Sequence, residues 1–504
     1  MDTVGPFVAV IASRPKVAGA STPKDRFHFR KYPQKGKRRM EGKKALKDSR
    51  SDAKEKKFEN LLSPIKITHV ELKNRIAVAP MQTYMSGPNG EITEQCLAYV
   101  GALAKGGAGL VISGVFLGTK LAAQFPVGRT MVLYHPGHQL GPTLYAERVH
   151  YFGAVACAQM SPGSGRQATP YERDIPVPAP TANLPYEMTK EKMFRAMADA
   201  LSVDMRGREF LVGPMTREMT ISEIRSEQKE FANSCQLAVL CGFDMIEIHA
   251  GHGFLCHEFL SPFSNKRTDL YGGEWRNRKR FLNELVEVVR YACQGVPLIV
   301  RISAEEHMEG GLSRDEMIDV AKDLETRGVD CIHLSDGGGL EECGHQIPDA
   351  DRAAHIPEHG KDFKNALKIP IIVASQHDPE KADRDIGAGA FDISALGRQL
   401  LCDPDYPNKL ADGKADEITR CVRCNICIVR GLAGMYLACP LNPNLGREYL
   451  LEEYKIGPWK TGERLIPKCL EHARMPSLYN NSWWRNDIEF VEKCWRPFRG
   501  PGPR

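Results

Sequence analysis

From residue 60 onward the chain repeats one alternation. A short unbroken apolar run is followed by a longer stretch with apolar residues every three or four positions. The apolar runs are NRIAVAP (74–80), GLVISG (109–114), GAVACAQ (153–159), DMIEIHA (244–250), LIVRISA (298–304), CIHLSDG (331–337), IIVAS (371–375) and DISALGR (392–398). They are rich in β-branched and small apolar residues and lack the strict alternation of a half-exposed strand, so each predicts a strand covered on both faces. The stretches between them predict helices. Thr220-x-x-Glu223 and Ser313-x-x-Glu316 have the spacing of a capping box, in which each end satisfies the other's free backbone donor. Gly242 and Gly328 follow two helical runs, where a left-handed residue ends a helix. Strands alternating with helices imply a parallel sheet. Eight such units over roughly 340 residues predict a closed (β/α)8 TIM barrel. An open doubly wound sheet would need a switch point and usually has fewer strands.

The segments outside this pattern divide the chain. Residues 1–57 hold 17 Lys and Arg against 6 Asp and Glu, which predicts a solvated, disordered basic tail. The net charge of +5 therefore belongs to one end, and the remainder is mildly acidic. Nucleic-acid binding would need a recognition fold beside the tail, and the pattern offers none. Met40 is an alternative start. The expected organisation is a tail over 1–57, a barrel over 58–410, a cysteine-bearing segment over 411–450 and a C-terminal tail over 451–504. No apolar run approaches the ~18 residues of a membrane span, and the first residues lack the basic flank of a secretory signal. Most of the 15 cysteines sit singly in apolar runs, such as Cys96, Cys157, Cys235, Cys241, Cys293 and Cys331. They read as small core residues in a reducing, cytoplasmic setting.

Chemistry in such a barrel gathers where the strands end. Those ends carry Pro80, Met81, Gln82, Ser113, Gly114, Gln159, His249, His252, Arg301, Ser335, Asp336, Ser375, Gly397 and Arg398. A primary amide such as Gln159 donates and accepts together, matching a heterocycle edge with adjacent N–H and C=O groups. Arg301 can balance charge on a reduced ring, and Gly397-Arg398 suits the phosphate site barrels build after their last strands. Flavin mononucleotide fits all three, although each residue alone has a structural reading.

LLSPIKITHVELKNRIAVAPMQTYMS, AQMSPGSGR, GFDMIEIHAGHGFLCHEFLSPFSNKRTDLYGGEWRNRKRF and ALGRQLLCDPDYPNK resemble the old yellow enzyme family of FMN oxidoreductases, over roughly residues 60–448. The resemblance implies that Pro80, Met81 and Gln82 line the flavin, that Gly114 and Gln159 contact its ring, and that Arg301 meets its N1/O2 side. Ser375, Gly397 and Arg398 would hold the phosphate end. The seventh-strand turn departs from the family, since Ser375-Gln376 stands where a glycine is expected. His249 and His252 would clamp the carbonyl oxygen of an unsaturated substrate. Hydrogen bonds there stabilise an enolate as hydride reaches the β-carbon. Phe254 occupies the position of the family's proton-donating tyrosine and cannot donate, so the general acid becomes Tyr84, His345, His355 or water, with Tyr84 preferred. Phe254 and Arg267 are candidate substrate contacts, although Arg267 in NKRTD could equally brace its loop.

The last feature is Cys421-x2-Cys424-x2-Cys427 with Cys439 after a further 11 residues. A zinc ribbon usually offers two separated pairs, whereas three thiolates on one loop plus a distant fourth can hold a [4Fe–4S] cluster. Zinc and purely structural cysteines remain as alternatives. The stretch resembles the iron–sulfur branch of the family, which includes 2,4-dienoyl-CoA reductases, trimethylamine dehydrogenases and bile-acid oxidoreductases. A cluster passes single electrons, so it implies a second carrier. In that branch the carrier is a following flavin/nicotinamide module. No G-x-G-x-x-G occurs after residue 448, so the expected donor is NAD(P)H or a separate electron-transfer protein. The expected substrate is an α,β-unsaturated carbonyl compound: an enone, a steroid- or bile-acid-like compound, or an enoyl thioester. Amine oxidation of the trimethylamine type and a purely electron-transferring subunit are the alternatives, and a homo-oligomer is left open.

Overall fold

All eight predicted apolar runs form strands in the computed structural model, which describes residues 57–169, 175–185, 213–339, 356–375, 377–432 and 434–454. They are β1 Ile76–Val78, β2 Leu110–Ile112, β3 Val155–Ser161, β4 Met245–Ala250, β5 Leu298–Ser303, β6 Cys331–Ser335, β7 Ile371–Ala374 and β8 Ile393–Leu396. Each pairs in parallel with the next, and β8 pairs with β1, so the sheet closes. The described residues all lie within one compact unit, Lys56–Arg504. The basic tail over residues 1–56 and the C-terminal stretch from 455 lie outside the described residues.

Among the described residues, the longer helices around the sheet are α1 Glu94–Lys105, α2 Leu140–Tyr151, α3 Ile221–Leu240, α4 Arg280–Ala292, α5 Arg314–Thr326, α6 Ile356–Ala366 and α7 Pro379–Gly387. A short helix, α8 Arg398–Cys402, follows β8. Both predicted capping boxes are formed. Thr220 opens α3 and Ser313 opens α5, each with its hydroxyl accepting from the N3 amide and the N3 glutamate accepting from the cap amide. Gly242 and Gly328 stand just past the ends of α3 and α5 with φ of 100° and 83°, a backbone that side-chain-bearing residues resist. No helix among the described residues is long and apolar enough to cross a membrane.

The inside of the barrel changes character along its axis. Its floor is apolar: Leu110, Cys157, Met245, Ile299, Cys331, Ile372 and Ile393 pack together, all buried. A two-stranded antiparallel hairpin, Ile65–Ile67 with Val70–Leu72, turns the fully buried Ile67 and Leu72 into the same cluster and plugs this end. Side chains two residues further along a strand point the same way. That step places Gln159, Glu247, Arg301 and His333 directly above Cys157, Met245, Ile299 and Cys331. The barrel therefore passes from an oily floor to a polar layer within one strand repeat, and only its C-terminal end is built for chemistry.

The long connection between β3 and β4 contributes a second small sheet, in which Val177–Ala179 pairs in parallel with Thr216–Glu218. Its middle, residues 186–212, lies outside the described residues.

The capping box at α3 gives a direct check on the helix boundaries. Thr220→Ala removes the acceptor for the Glu223 amide and is expected to destabilise the protein by about 1 kcal/mol in chemical denaturation. Thr220→Ser should restore most of that loss.

Candidate active site

The polar layer is one connected network. Glu247, fully buried on β4, accepts from the Gln159 amide at 2.8 Å and meets His333 Nδ1 at 2.7 Å. Arg301 lies beside this carboxylate. Burial pushes the guanidinium pKa down to about 10, and the Glu247 charge opposes the shift, so the group stays cationic. Arg301 Nη2 donates to Ser335 Oγ at 3.1 Å, and Ser335 Oγ lies 2.5 Å from His252 Nε2. His252 Nδ1 then faces His249 Nε2 at 3.4 Å.

Those contacts have one direction that serves every member. Ser335 Oγ accepts from the arginine, which has no acceptor of its own, and turns its own proton toward His252 Nε2. His252 then carries its proton on Nδ1 and offers it to His249 Nε2, which leaves the His249 proton on Nδ1. His249 Nδ1 is buried and has no hydrogen-bond partner. The chain Arg301–Ser335–His252–His249 thus ends at the unpartnered His249 Nδ1. The His249 ring stands 4.9 Å, centroid to centroid, from Phe254.

Both imidazoles are held neutral. Burial lowers the pKa of each well below 6.5, and the Arg301 charge acts in the same direction. His252 also has a positive φ of 59°, a conformation that for a non-glycine residue persists only where the surroundings over-determine it. Here its amide donates to Ser303 Oγ at 3.0 Å.

The remaining residues expected at the mouth take these positions. Met81 lies between two glycines. A Cβ on Gly114 would come within 2.7 Å of the Met81 carbonyl, and one on Gly397 within 2.8 Å of its Sδ. Pro80 precedes it at the end of β1. Gln82 donates to the Arg129 carbonyl and to Thr130 Oγ1, both at 2.9 Å, tying the mouth to the 127–130 loop. Ser375 ends β7 with a φ of 70°, its amide bonded to the Ala395 carbonyl at 3.1 Å. The positive φ there is the conformation for which a glycine is the usual solution. Gln376, His345 and His355 lie outside the described residues. Arg267 is a brace. Its guanidinium binds Asp269 and the carbonyls of Met219 and Pro180, so it pins the β3–β4 connection rather than facing the mouth.

The cysteine segment is fastened to the barrel at the β8 end. Gln399 accepts from the Cys421 amide at 3.0 Å and donates to the Thr419 carbonyl at 2.9 Å. Asn442 donates to the Leu401 carbonyl at 2.8 Å. Arg398 Nη1 reaches Asn425 Oδ1 at 2.5 Å and feels the thiols of Cys421, Cys427 and Cys424. Arg423 and Asn425 alternate into positive φ, at 53° and 58°. The Arg423 amide points at Cys421 Sγ, 3.4 Å away. Such alternation turns backbone N–H groups inward around an anion. Burial raises the Cys421 pKa and pushes Cys427 up to about 11, and Cys421 also feels Cys439. The segment continues into α9 Ile426–Leu432. Tyr84 sits where this helix meets the mouth, and a Cβ on Gly431 or Gly128 would come within 2.5 or 2.6 Å of its ring.

Glu247 and His333 escaped the reading of the strand ends, because they lie two residues below them. A signal was present: a carboxylate inside the otherwise apolar run DMIEIHA has to be balanced by something.

The barrel is parallel, closed and eight-stranded, with a buried arginine–histidine network at its C-terminal mouth. Residues 60–417 match the NADH:flavin oxidoreductase / NADH oxidase family, and the chain belongs to that family of flavin-dependent enzymes. It is 31% identical over 416 residues to an NADH oxidase of Thermoanaerobacter brockii, covering 80% of this chain and 59% of that protein. It is 30% identical over 418 residues to a cinnamate reductase of Clostridium sporogenes, covering 78% and 58%. Among solved structures, a 2-naphthoyl-CoA reductase complex superposes with a TM-score of 0.69 at 26% identity, covering 80% of this chain and 59% of that one. The match thus spans somewhat over half the length of these relatives.

Two measurements test the network. Glu247→Gln leaves Arg301 as an uncompensated buried charge and should destabilise the protein by about 3 kcal/mol in denaturant melts. The histidines give a pH signature. Their folded pKa values lie below the unfolded value, so the unfolded chain binds more protons below about pH 6.5, and stability falls as pH falls. Melting curves between about pH 6.5 and 5 should be steeper in pH for the wild type than for His249→Gln.

Proposed function

We propose that this chain acts as an FMN- and [4Fe–4S]-dependent oxidoreductase on the C=C bond of an α,β-unsaturated carbonyl compound, an enone or an enoyl thioester. The observation that carries the reading is the buried, unpartnered His249 Nδ1 at the end of the Arg301–Ser335–His252 chain. A neutral donor backed by a fixed cation suits a carbonyl oxygen that gains negative charge. It offers nothing to an amine cation. Similarity to a cinnamate reductase and a 2-naphthoyl-CoA reductase supports the same substrate class.

The residues present fit a flavin. Arg301 Nε and His333 Nε2 are buried without partners, as expected of groups that face a bound ring. With its NH2 group on Glu247, Gln159 keeps its carbonyl oxygen for a ring N–H. Gly114 and Gly397 leave Met81 room against the ring edge, and Gly397 with Arg398 would hold the phosphate. When bound, the flavin supplies hydride exchange with the substrate carbon. The protein's part is to orient the carbonyl on His249, to hold the imidazoles neutral and to keep Arg301 charged.

The cysteine set fits an iron–sulfur cluster. The Arg423 amide directed at Cys421 and the Arg398 charge would offset the negative charge of a thiolate-ligated cluster. Cys421, Cys424, Cys427 and Cys439 would ligate it, and NAD(P)H or a separate electron carrier would complete the circuit. Phe254 cannot supply the substrate proton, and Tyr84 is the candidate donor among the described residues.

Anaerobically purified protein should contain one FMN and about four irons with matching sulfide per chain. Its reduced flavin should be reoxidised by enones and left unchanged by trimethylamine. A reduced flavin indifferent to every enone would refute the substrate class. Cys427→Ser should lose the iron and keep the flavin. Tyr84→Phe should lower turnover at least tenfold with iron content unchanged, and unchanged turnover would remove Tyr84 from the proton path.

A further inference from the structure

A second cluster of metal-binding side chains lies on the rim of the barrel, outside the residues assigned above. Glu305 and His307 stand on the loop after β5, and His359 projects from α6. Each offers one ligand atom, and the three atoms lie within 4.8 Å of one another. Asp336, at the end of β6, stands behind them. Its carboxylate meets His307 Nε2 at 2.8 Å and lies 3.7 Å from His359 Nε2.

Three features point to a ligand rather than to a self-contained polar cluster. The first is His359, which is only 4% exposed and has no hydrogen-bond partner on either ring nitrogen. A buried donor or acceptor left unmade costs about 1–3 kcal/mol, and this ring carries two such atoms. The second is the geometry at His307. Its Nε2 lies 2.8 Å from Asp336 Oδ1 and its Nδ1 lies 3.7 Å from Glu305 Oε1. The second separation is too long for a hydrogen bond. It is close to the ~3.4 Å between neighbouring ligand atoms around a tetrahedral zinc. The carboxylate behind the imidazole is the usual way a metal-binding histidine is oriented. The third is the backbone. His307 has a φ of 57°, a strained conformation that presents its ring to this cluster. Arg314 is the one nearby cation in these contacts. It faces the other oxygen of Glu305 at 3.6 Å and is held by Asp362 at 3.0 Å, so Oε1 is left toward the histidines.

We propose that Glu305, His307 and His359 bind a divalent first-row transition metal, with Asp336 orienting the imidazoles. Two imidazoles and one carboxylate form a donor set suited to zinc or its neighbours and poorly suited to calcium or magnesium. The bound ion joins the loop after β5 to α6. Through Asp336 it also fixes the residue next to Ser335, the hydroxyl that links Arg301 to His252. The alternative is a protonated His307 bridging two carboxylates, with no metal at all.

Zinc binding separates the two. Holoprotein of measured flavin and iron content is stripped with EDTA, titrated with ZnCl2 by calorimetry and analysed for bound metal after dialysis. The wild type should retain one zinc that Glu305→Gln and His359→Asn each bind at least tenfold more weakly, with flavin and iron unchanged. Glu305 is partly exposed, so its isosteric variant tests the site without disturbing the core. Zinc taken up by the cysteine segment would persist in both variants, so the wild-type-minus-variant difference reports this site alone. The proposal is overturned if the wild type retains no zinc, or if both variants retain as much as the wild type.

Discussion

A guanidinium sits inside the barrel, and the polar half of the interior is arranged around it. Arg301 is too deeply buried to be solvated, and a charge of that kind is tolerated only with a partner and hydrogen bonds. Glu247 on the adjacent strand supplies the opposite charge, and Gln159 and His333 hold that carboxylate from either side. Burial and, after it, the same cation lower the proton affinity of His249 and His252. The contacts from Arg301 through Ser335 to His252 orient the imidazoles above it and end at the unpartnered His249 Nδ1. Removing the charge would alter the chemistry of the histidines without touching either of them.

The apolar floor makes this arrangement affordable. Ile67 and Leu72 close the opposite end against Met245, Ile299 and Cys331, so that end of the interior is apolar. In such a setting a fixed donor is stronger than it would be in water. The polar layer and the plug are complementary parts of one design, since neither a wet floor nor an apolar middle would hold a neutral histidine beside a cation.

The cysteine segment is coupled to the mouth by contacts that leave little slack. Tyr84 is wedged against Gly431 and Gly128, and Arg398 reaches from the start of α8 to Asn425 among the cysteines. Arg398 therefore ties the end of β8 directly to the cysteine segment. The rim beside it has a different character. Arg267 satisfies its donors within its own neighbourhood and serves as a brace, whereas neither ring nitrogen of His359 has a hydrogen-bond partner. That contrast separates a structural polar cluster from one that calls for a ligand.

The strands, both capping boxes and the glycine helix ends were legible from the sequence, because strand burial, caps and positive-φ positions depend on residues close together in the chain. The residues at the strand ends were legible for the same reason: DMIEIHA and CIHLSDG place His249 and Ser335 at a barrel mouth whatever surrounds them. The roles of these side chains were not. That Arg267 braces a loop, that His252 is backed by Ser335 and that Glu247 anchors Arg301 depend on partners 34 to 88 residues apart or on separate elements. The sequence alone determines which side chains reach the mouth, through the two-residue period of a strand. Only the closed barrel decides which of them meet, because hydrogen bonds and charge pairs are set by distances across the sheet that no local pattern encodes.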